Sequence, residues 1–159
     1  MVNPITDYDF RISSNDRSSH ITFTLVEYMH QRLPSLSCTI EVLDNKFSGW
    51  NTDVWFSLSD LHSFINALEQ LEKTRQGKAC LSAMTYEDFN IIFESYNIKG
   101  DIVALYSLSN SKFNSEISLM NTLNGGFQID SEYLSKLLSD FKKFTLVSED
   151  SLKDKEDLY

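Results

Sequence analysis

The sequence predicts an α+β fold: a curved antiparallel sheet or β-sandwich of about 7–9 strands, with two helices on one face or at one end. Short stretches of alternating apolar and polar residues recur along most of the chain and are typical of strands half exposed to water. Only two stretches repeat apolar residues at helical spacing. Short turns between the strands favour antiparallel pairing. The expected order is three or four strands, a helix, four or five strands and a second helix.

The first strands are predicted from alternation. Residues 20–30 and 36–43 each place apolar side chains on one face and polar ones on the other, and Pro34 marks a turn between them. The two stretches should therefore pair as a hairpin. A third strand is expected over residues 51–56. Three alternating residues near the start suggest one further strand: Tyr8, Phe10 and Ile12.

The first helix has recognisable start and stop signals. Ser57 is a good N-cap because its hydroxyl can accept a free backbone N–H of the first turn, and Asp60 suits the positive end of the helix dipole. Gly77 is predicted to supply the left-handed C-cap. The apolar face consists of Leu61, Phe64, Ile65, Leu68 and Leu71.

Strands are expected next over residues 78–84, 89–96 and 101–109, with a turn that ends in Gly100. The chain should then turn at 109–112 and enter a strand over 113–123. Asn124-Gly125 predicts a tight hairpin, because a type I′ turn needs positive φ at both central residues. A short strand, 127–129, would return from it. The second helix should begin at Asp130 or Ser131, with an apolar face of Leu134, Leu137, Leu138 and Phe141.

The 159 residues suit a single α+β domain over 1–148, followed by an acidic, flexible tail over 149–159. A formal net charge of −9 repels nucleic acid and anionic membranes and attracts a basic partner. Cys38 and Cys80 lie in apolar strand-like runs, which is typical of buried free thiols. The start of the chain shows no secretory signal, so a cytoplasmic location is expected.

The sequence contains no motif for chemistry. His20, His30 and His62 lack the spacing of a metal site, no serine lies in a nucleophile-elbow pattern, and no phosphate-binding loop is present. Glu87-Asp88 is interpreted as a pair of solvated loop carboxylates. We therefore expect no cofactor, no metal and no enzymatic activity.

The segment around the first helix carries a family resemblance. It contains Phe47-Ser48-Gly49, then Trp55-Phe56, then Asp60-Leu61 with Phe64, and finally Gly77-Lys78-Ala79 with Leu81. This arrangement resembles the WapI-type immunity proteins of bacterial polymorphic toxin systems and related immunity proteins of contact-dependent growth inhibition. The resemblance extends over residues 36–144.

The resemblance implies a non-enzymatic protein that binds the C-terminal domain of a cognate toxin, one to one, and neutralises it. Many such toxins are nucleases with basic active-site clefts, and an acidic protein can occupy such a cleft. The matched motifs are scaffold residues, so they identify no functional residue. Trp50 and Trp55 could both be binding anchors. Alternatively, Trp55 is a core residue and Trp50 is a partly exposed residue without a role in binding. The candidate partner-binding residues are Asp44, Trp50, Asp53, Glu94, Tyr96 and Asp101.

Two other functions remain open on the sequence. The chain could be a small-molecule binding module, with a ligand in the cup of the curved sheet against Phe23, Phe93 and Tyr106. A large apolar cavity would favour that function. An enzyme of unrecognised type would need scattered residues that converge in space, marked by perturbed carboxylates in a cleft.

Overall fold

The computed structural model of the chain describes residues 5–150. Eight strands form two four-stranded antiparallel sheets, and with two helices they confirm the predicted α+β fold. The first sheet has the order β1 (Ile5–Ser13), β2 (Ser19–Met29), β3 (Ser35–Asp44) and β4 (Phe47–Ser57). The second has the order β5 (Lys78–Ser82), β6 (Phe89–Ser95), β7 (Ile102–Phe113) and β8 (Ser118–Ile129). Helix α1 (Leu58–Thr74) joins the sheets, and a 3-10 turn (Ser131–Tyr133) leads into α2 (Leu134–Thr145).

One core is shared by both sheets and both helices, and phenylalanine rings form its centre. Phe23 of β2 stacks on Phe10 of β1 with ring centroids 4.8 Å apart and meets Phe89 of β6 edge-on at 5.7 Å. Phe141 of α2 lies 5.7 Å from Phe23 and 4.8 Å from Phe64 of α1. These rings therefore connect both sheets and both helices directly, and offset or edge-on geometry stabilises such pairs.

The start of α1 is as predicted, but its end is not. The Ser57 hydroxyl accepts a hydrogen bond from the Asp60 amide at 3.1 Å, which confirms the N-cap. The left-handed C-cap is Arg75 (φ 57°), not Gly77, which lies two residues further on. The Arg75 guanidinium donates to the Ser131 carbonyl at 2.6 Å and to the Glu72 carbonyl at 3.0 Å. These hydrogen bonds offset the cost of a left-handed conformation for a non-glycine residue.

The hairpin predicted at Asn124-Gly125 is wrong. Strand β7 continues to Phe113, the chain turns at 114–117, and β8 runs unbroken through residues 124 and 125 to Ile129. The turn is formed by Asn114, whose side-chain oxygen accepts the amides of Glu116 and Ile117 at 3.0 and 2.9 Å. The predicted turn at 109–112 is accordingly also absent, and those residues belong to β7.

Gly125 is required because a side chain would not fit at this position, and not because the chain turns there. A Cβ atom at this position would lie 2.5 Å from the Tyr106 hydroxyl and 2.6 Å from a carboxylate oxygen of Asp44. Tyr106 donates to Asp44 at 2.6 Å, and the other Asp44 oxygen accepts from the Ser19 hydroxyl at 2.8 Å. Gly125 thus lets β8 lie against a hydrogen-bonded link between the two sheets.

We expect Gly125→Ala to destabilise the fold by about 1–3 kcal/mol, the usual cost of overpacking. Urea unfolding would measure the loss. Gly49→Ala is the matched control, because a Cβ atom there meets Leu123 at 3.5 Å and Leu108 at 3.9 Å, both ordinary contact distances. Equal stability of the Gly125 and Gly49 variants would contradict the close contact at Gly125.

The two cysteines differ in a way that the sequence did not predict. Cys38 is buried, and burial raises the pKa of its thiol well above the ordinary value. Cys80 is exposed, contrary to expectation, because its neighbours Ala79 and Leu81 occupy the inward face of β5. Both are free thiols.

Residues 149 and 150 are helical, whereas 151–159 lie outside the described residues, so the flexible tail and the domain boundary at 148 stay predictions. No helix in the described part of the chain has the length and apolar character required to cross a membrane.

Candidate protein-binding surface

Two tryptophans and an aspartate occupy the outer part of β4. Trp50 is 62% exposed, and Trp55 is half-buried on the outer side of the strand, so Trp55 is not a core residue. The indole N–H of Trp55 donates to the Asp53 carboxylate at 2.9 Å. The Asp53 amide is in turn held by the Asn51 side chain at 2.9 Å. These contacts fix the Asp53 carboxylate on the surface beside the Trp55 ring.

The loop between β5 and β6 lies against the same strand. The Met84 amide donates to the Trp55 carbonyl at 2.8 Å. The Asp88 carbonyl accepts from the Ser109 amide at 3.0 Å, and the Ser109 carbonyl accepts from the Asn51 side chain at 2.7 Å. This chain of hydrogen bonds brings Glu87 and Asp88 next to β4. We name the surface formed by Trp50, Asp53, Trp55, Glu87 and Asp88 the β4 patch.

The β4 patch concentrates negative charge without compensation. Burial, then the nearby carboxylates of Asp53 and Glu87, raise the pKa of Asp88 above its ordinary value. Within residues 5–150 the ion pairs are Lys136–Asp140 at 2.9 Å and Lys142–Glu69 at 3.5 Å. The carboxylates of the β4 patch therefore repel one another, no cation of residues 5–150 forms an ion pair with them, and a basic partner would relieve that repulsion.

This repulsion predicts a stability gain on neutralisation. A raised pKa means that the folded state binds the Asp88 proton more tightly than the unfolded state, so stability falls as pH rises from the ordinary carboxyl range through the raised value. Asp88→Asn should therefore be more stable than the wild type at neutral pH, by about 0.5 kcal/mol at this partly exposed site. The difference should vanish at acid pH, where both side chains are uncharged. Urea unfolding at both pH values measures it, and a less stable variant at neutral pH would contradict the account.

The end of the β7–β8 hairpin extends the exposed apolar surface next to the β4 patch. A shallow cleft of about 190 Å³ is lined by Trp50, Asn110 and Asn121 among others. Beyond it, Phe113 is 82% exposed and Leu119 is 54% exposed. Exposed aromatic and aliphatic groups beside fixed charges are common at protein interfaces.

The predicted partner-binding residues do not form one surface. Trp50 and Asp53 lie in the β4 patch. The oxygens of Asp44 bind Tyr106 and Ser19 in the link between the sheets, so this carboxylate already has a role in the fold.

The other three predicted residues lie at the opposite end of β6. Glu94 is half-buried opposite Lys78 in the register of β5 and β6. Asp101 accepts from the Asn97 side chain at 2.7 Å, and Tyr96 is 49% exposed. Strand β6 has seven residues, about 20 Å at 3.3 Å each, and it separates this group from Asp88. These three residues therefore lie apart from the β4 patch, and the role of the six residues in partner binding stays a prediction.

The interior offers no site for the alternative small-molecule function at the predicted place. Phe23 and Phe93 are fully buried and Tyr106 is 4% exposed, because all three pack against other rings. A cleft of about 590 Å³ lies elsewhere and is lined mostly by polar side chains such as Arg11, His20 and Asp130. Among the described residues, no three His, Cys, Asp or Glu side chains come together as metal ligands would.

Comparison with known proteins agrees with the resemblance seen in the sequence. The model of the family described as "Immunity protein WapI-like family" matches residues 11–145, from β1 to the end of α2. Comparisons with curated proteins and with solved structures found no match. A match over this much of the 159 residues includes both sheets and both helices. The chain therefore belongs to the WapI-like family of immunity proteins.

Proposed function

We propose that this protein is a non-enzymatic inhibitor that binds the C-terminal domain of a cognate toxin, one to one, and blocks its action in the cytoplasm. The family match over residues 11–145 carries this proposal. The toxin would be one of a polymorphic set delivered between neighbouring bacteria, as in contact-dependent growth inhibition. The protein binds neither nucleic acid nor membrane, in keeping with its net charge of −9.

The β4 patch is the surface that we propose for the toxin. Asp53 is exposed and fixed by Trp55, and the charged form of Asp88 is destabilised first by burial and then by its acidic neighbours. A cationic group of a toxin, such as the basic cleft of a nuclease, would remove this repulsion on binding. Trp50 would anchor the contact, because a large exposed aromatic side chain gains much from being buried at an interface.

The negative electrostatic field of the protein should also speed its association with the toxin. A net charge of −9 attracts a basic domain and raises the rate of encounter, most strongly at low salt. Rapid capture suits an inhibitor that must reach its toxin before damage is done.

Growth protection tests the proposal. The toxin domain encoded directly upstream of this gene would be expressed alone and together with this protein, and growth would be followed. We expect arrest with the toxin alone and normal growth with both. A toxin domain from an unrelated system, not neutralised by this protein, is the matched control. Arrest that persists despite soluble, folded inhibitor would overturn the proposal.

A further inference from the structure

Strand β8 forms one edge of the second sheet and carries unusually little protection. Its twelve residues pair with β7 in a regular register without any shift. The segment, SLMNTLNGGFQI, contains no charged residue and no proline. Natural proteins defend such edges with lysine, proline, bulges or short strands, because an open edge is a template for another strand.

The other sheet edges of the described chain do carry such protection. Strand β1 has a register irregularity between Ile5 and Phe10, and β3–β4 pairing shifts between Cys38 and Ile40. The Trp55 carbonyl on β4 is already bonded to Met84. Strand β5 has only five residues. The open edge is therefore specific to β8.

Two hydrogen bonds show which backbone groups of β8 point outward. The Gln128 carbonyl accepts from the Asn15 amide at 2.9 Å, so residue 128 faces away from β7. On β7, the Ser109 amide donates to Asp88 on the β6 side, so its partner Thr122 also faces away from β7. Alternation along an antiparallel strand then assigns the same direction to every second residue. The outward residues are Ser118, Met120, Thr122, Asn124, Gly126 and Gln128.

The described residues leave this outward row free over most of its length. Apart from the bond from Asn15 at Gln128, no hydrogen bond from residues 5–150 reaches an outward amide or carbonyl of β8. The side chains of Leu119 and Met120 beside it are 54% and 51% exposed.

We propose that the β8 edge binds the β8 edge of a second copy of this chain in an antiparallel pair. A two-fold axis at Thr122 uses the outward row from Ser118 to Gly126 completely. It pairs Thr122 with itself, Met120 with Asn124 and Ser118 with Gly126. The pairing joins the second sheets of two copies into one continuous sheet.

Charge favours a second copy over a basic partner at this edge. The strand is neutral, so self-pairing places no like charges opposite each other, which would be unfavourable. A cationic domain would find no carboxylate on this strand, whereas Asp88 of the β4 patch lies on the β6 side of β7 and Asp53 lies in the other sheet.

The overall charge sets the salt dependence of the dimer. Each copy carries −9, so the two copies repel at low salt, and moderate salt screens this repulsion. Dimerisation should therefore strengthen with salt, whereas the toxin complex proposed above should weaken. Since one strand edge is small beside the about 1,600 Å² of a standard interface, we expect a dissociation constant in the micromolar range.

Sedimentation velocity of the full chain over a wide concentration range, at low and moderate salt, tests the inference. We expect the mass to rise from 18.3 kDa towards twice that value, and to do so at lower concentration in moderate salt. Thr122→Pro removes the outward N–H without removing a backbone hydrogen bond to β7 and should weaken the dimer at least about tenfold. It also loses the 2.9 Å hydrogen bond between the Thr122 and Ser109 hydroxyls. Thr122→Val is the matched control, because it loses the hydroxyl but keeps the N–H.

A second variant covers the case in which the proline variant does not fold. Thr122→Lys places two lysines opposite each other at the two-fold axis, so it should also give a monomer. A wild type that stays monomeric at every concentration, or a dimer unchanged by both Thr122→Lys and a folded Thr122→Pro, would overturn the inference. Protection of the β8 amides from hydrogen exchange only on addition of the toxin domain would assign the edge to the toxin and overturn it too.

Discussion

Phe23→Ala is expected to cause the largest loss of stability of any single core substitution, about 3–5 kcal/mol. The side chain is fully buried, and its ring contacts five others: Phe10, Phe56, Phe89, Phe141 and Phe144. Truncation would leave a cavity where both sheets and α2 meet. Because domains of this kind are stable by only about 5–15 kcal/mol, a large share of the protein should unfold at moderate temperature.

Urea and thermal unfolding followed by circular dichroism would measure this loss. Phe113→Ala is the matched control, since that ring is 82% exposed and its removal should change stability by about 0.5 kcal/mol or less. Similar losses at Phe23 and Phe113 would show that the core does not centre on the ring cluster.

Charge reversal in the β4 patch is expected to cause the largest loss of function. Asp53→Lys should weaken toxin binding at least about tenfold, and Asp53→Lys with Asp88→Lys at least about a hundredfold. Each lysine replaces an attraction for a basic partner by a repulsion at the contact surface, and such charge pairs have large coupling energies. Calorimetry with the purified toxin domain measures the affinity of each variant.

Two controls separate the local effect from the change in net charge. Glu132→Lys changes the net charge by as much as Asp53→Lys does. However, Glu132 lies in the exposed 3-10 turn before α2. Asp101→Lys tests the other predicted group, at the far end of β6 from Asp88. We expect both to retain near wild-type affinity. If Asp101→Lys weakens binding and Asp53→Lys does not, the toxin surface lies at the β6–β7 hairpin.

The sequence predicted best where local chemistry decides the structure. The Ser57 cap, the apolar face of α1 and the alternating strands over 20–30 and 36–43 are all confirmed. Each depends on neighbours along the chain: a hydroxyl that binds an amide three residues on, or a period of two. The possible strand at Tyr8, Phe10 and Ile12 is likewise present as β1.

The errors arise where distant residues decide. Asn124-Gly125 has the composition of a tight turn, but Tyr106 and Asp44 require a residue without a side chain inside a strand. Arg75 ends α1 in place of Gly77 because Ser131, far along the chain, accepts its guanidinium. No local pattern contains these contacts.

The same limit applies to the candidate surface. The sequence predicts Asp53 as a partner-binding residue, whereas it indicates only solvated loop carboxylates at Glu87-Asp88. Their proximity depends on backbone hydrogen bonds from Met84 to Trp55 and from Ser109 to Asp88, which alternation and capping cannot reveal. The one signal in the sequence is the position of Asp53 between Trp50 and Trp55 on a single strand.

The most direct test of the account is calorimetry of the wild-type protein with its cognate toxin domain at low and at moderate salt. We predict a one-to-one complex with nanomolar affinity that weakens clearly as salt increases, because opposite charges attract across the interface. Absence of binding at both salt concentrations would contradict the proposed function. A tight complex that salt does not affect would contradict the role of the β4 patch.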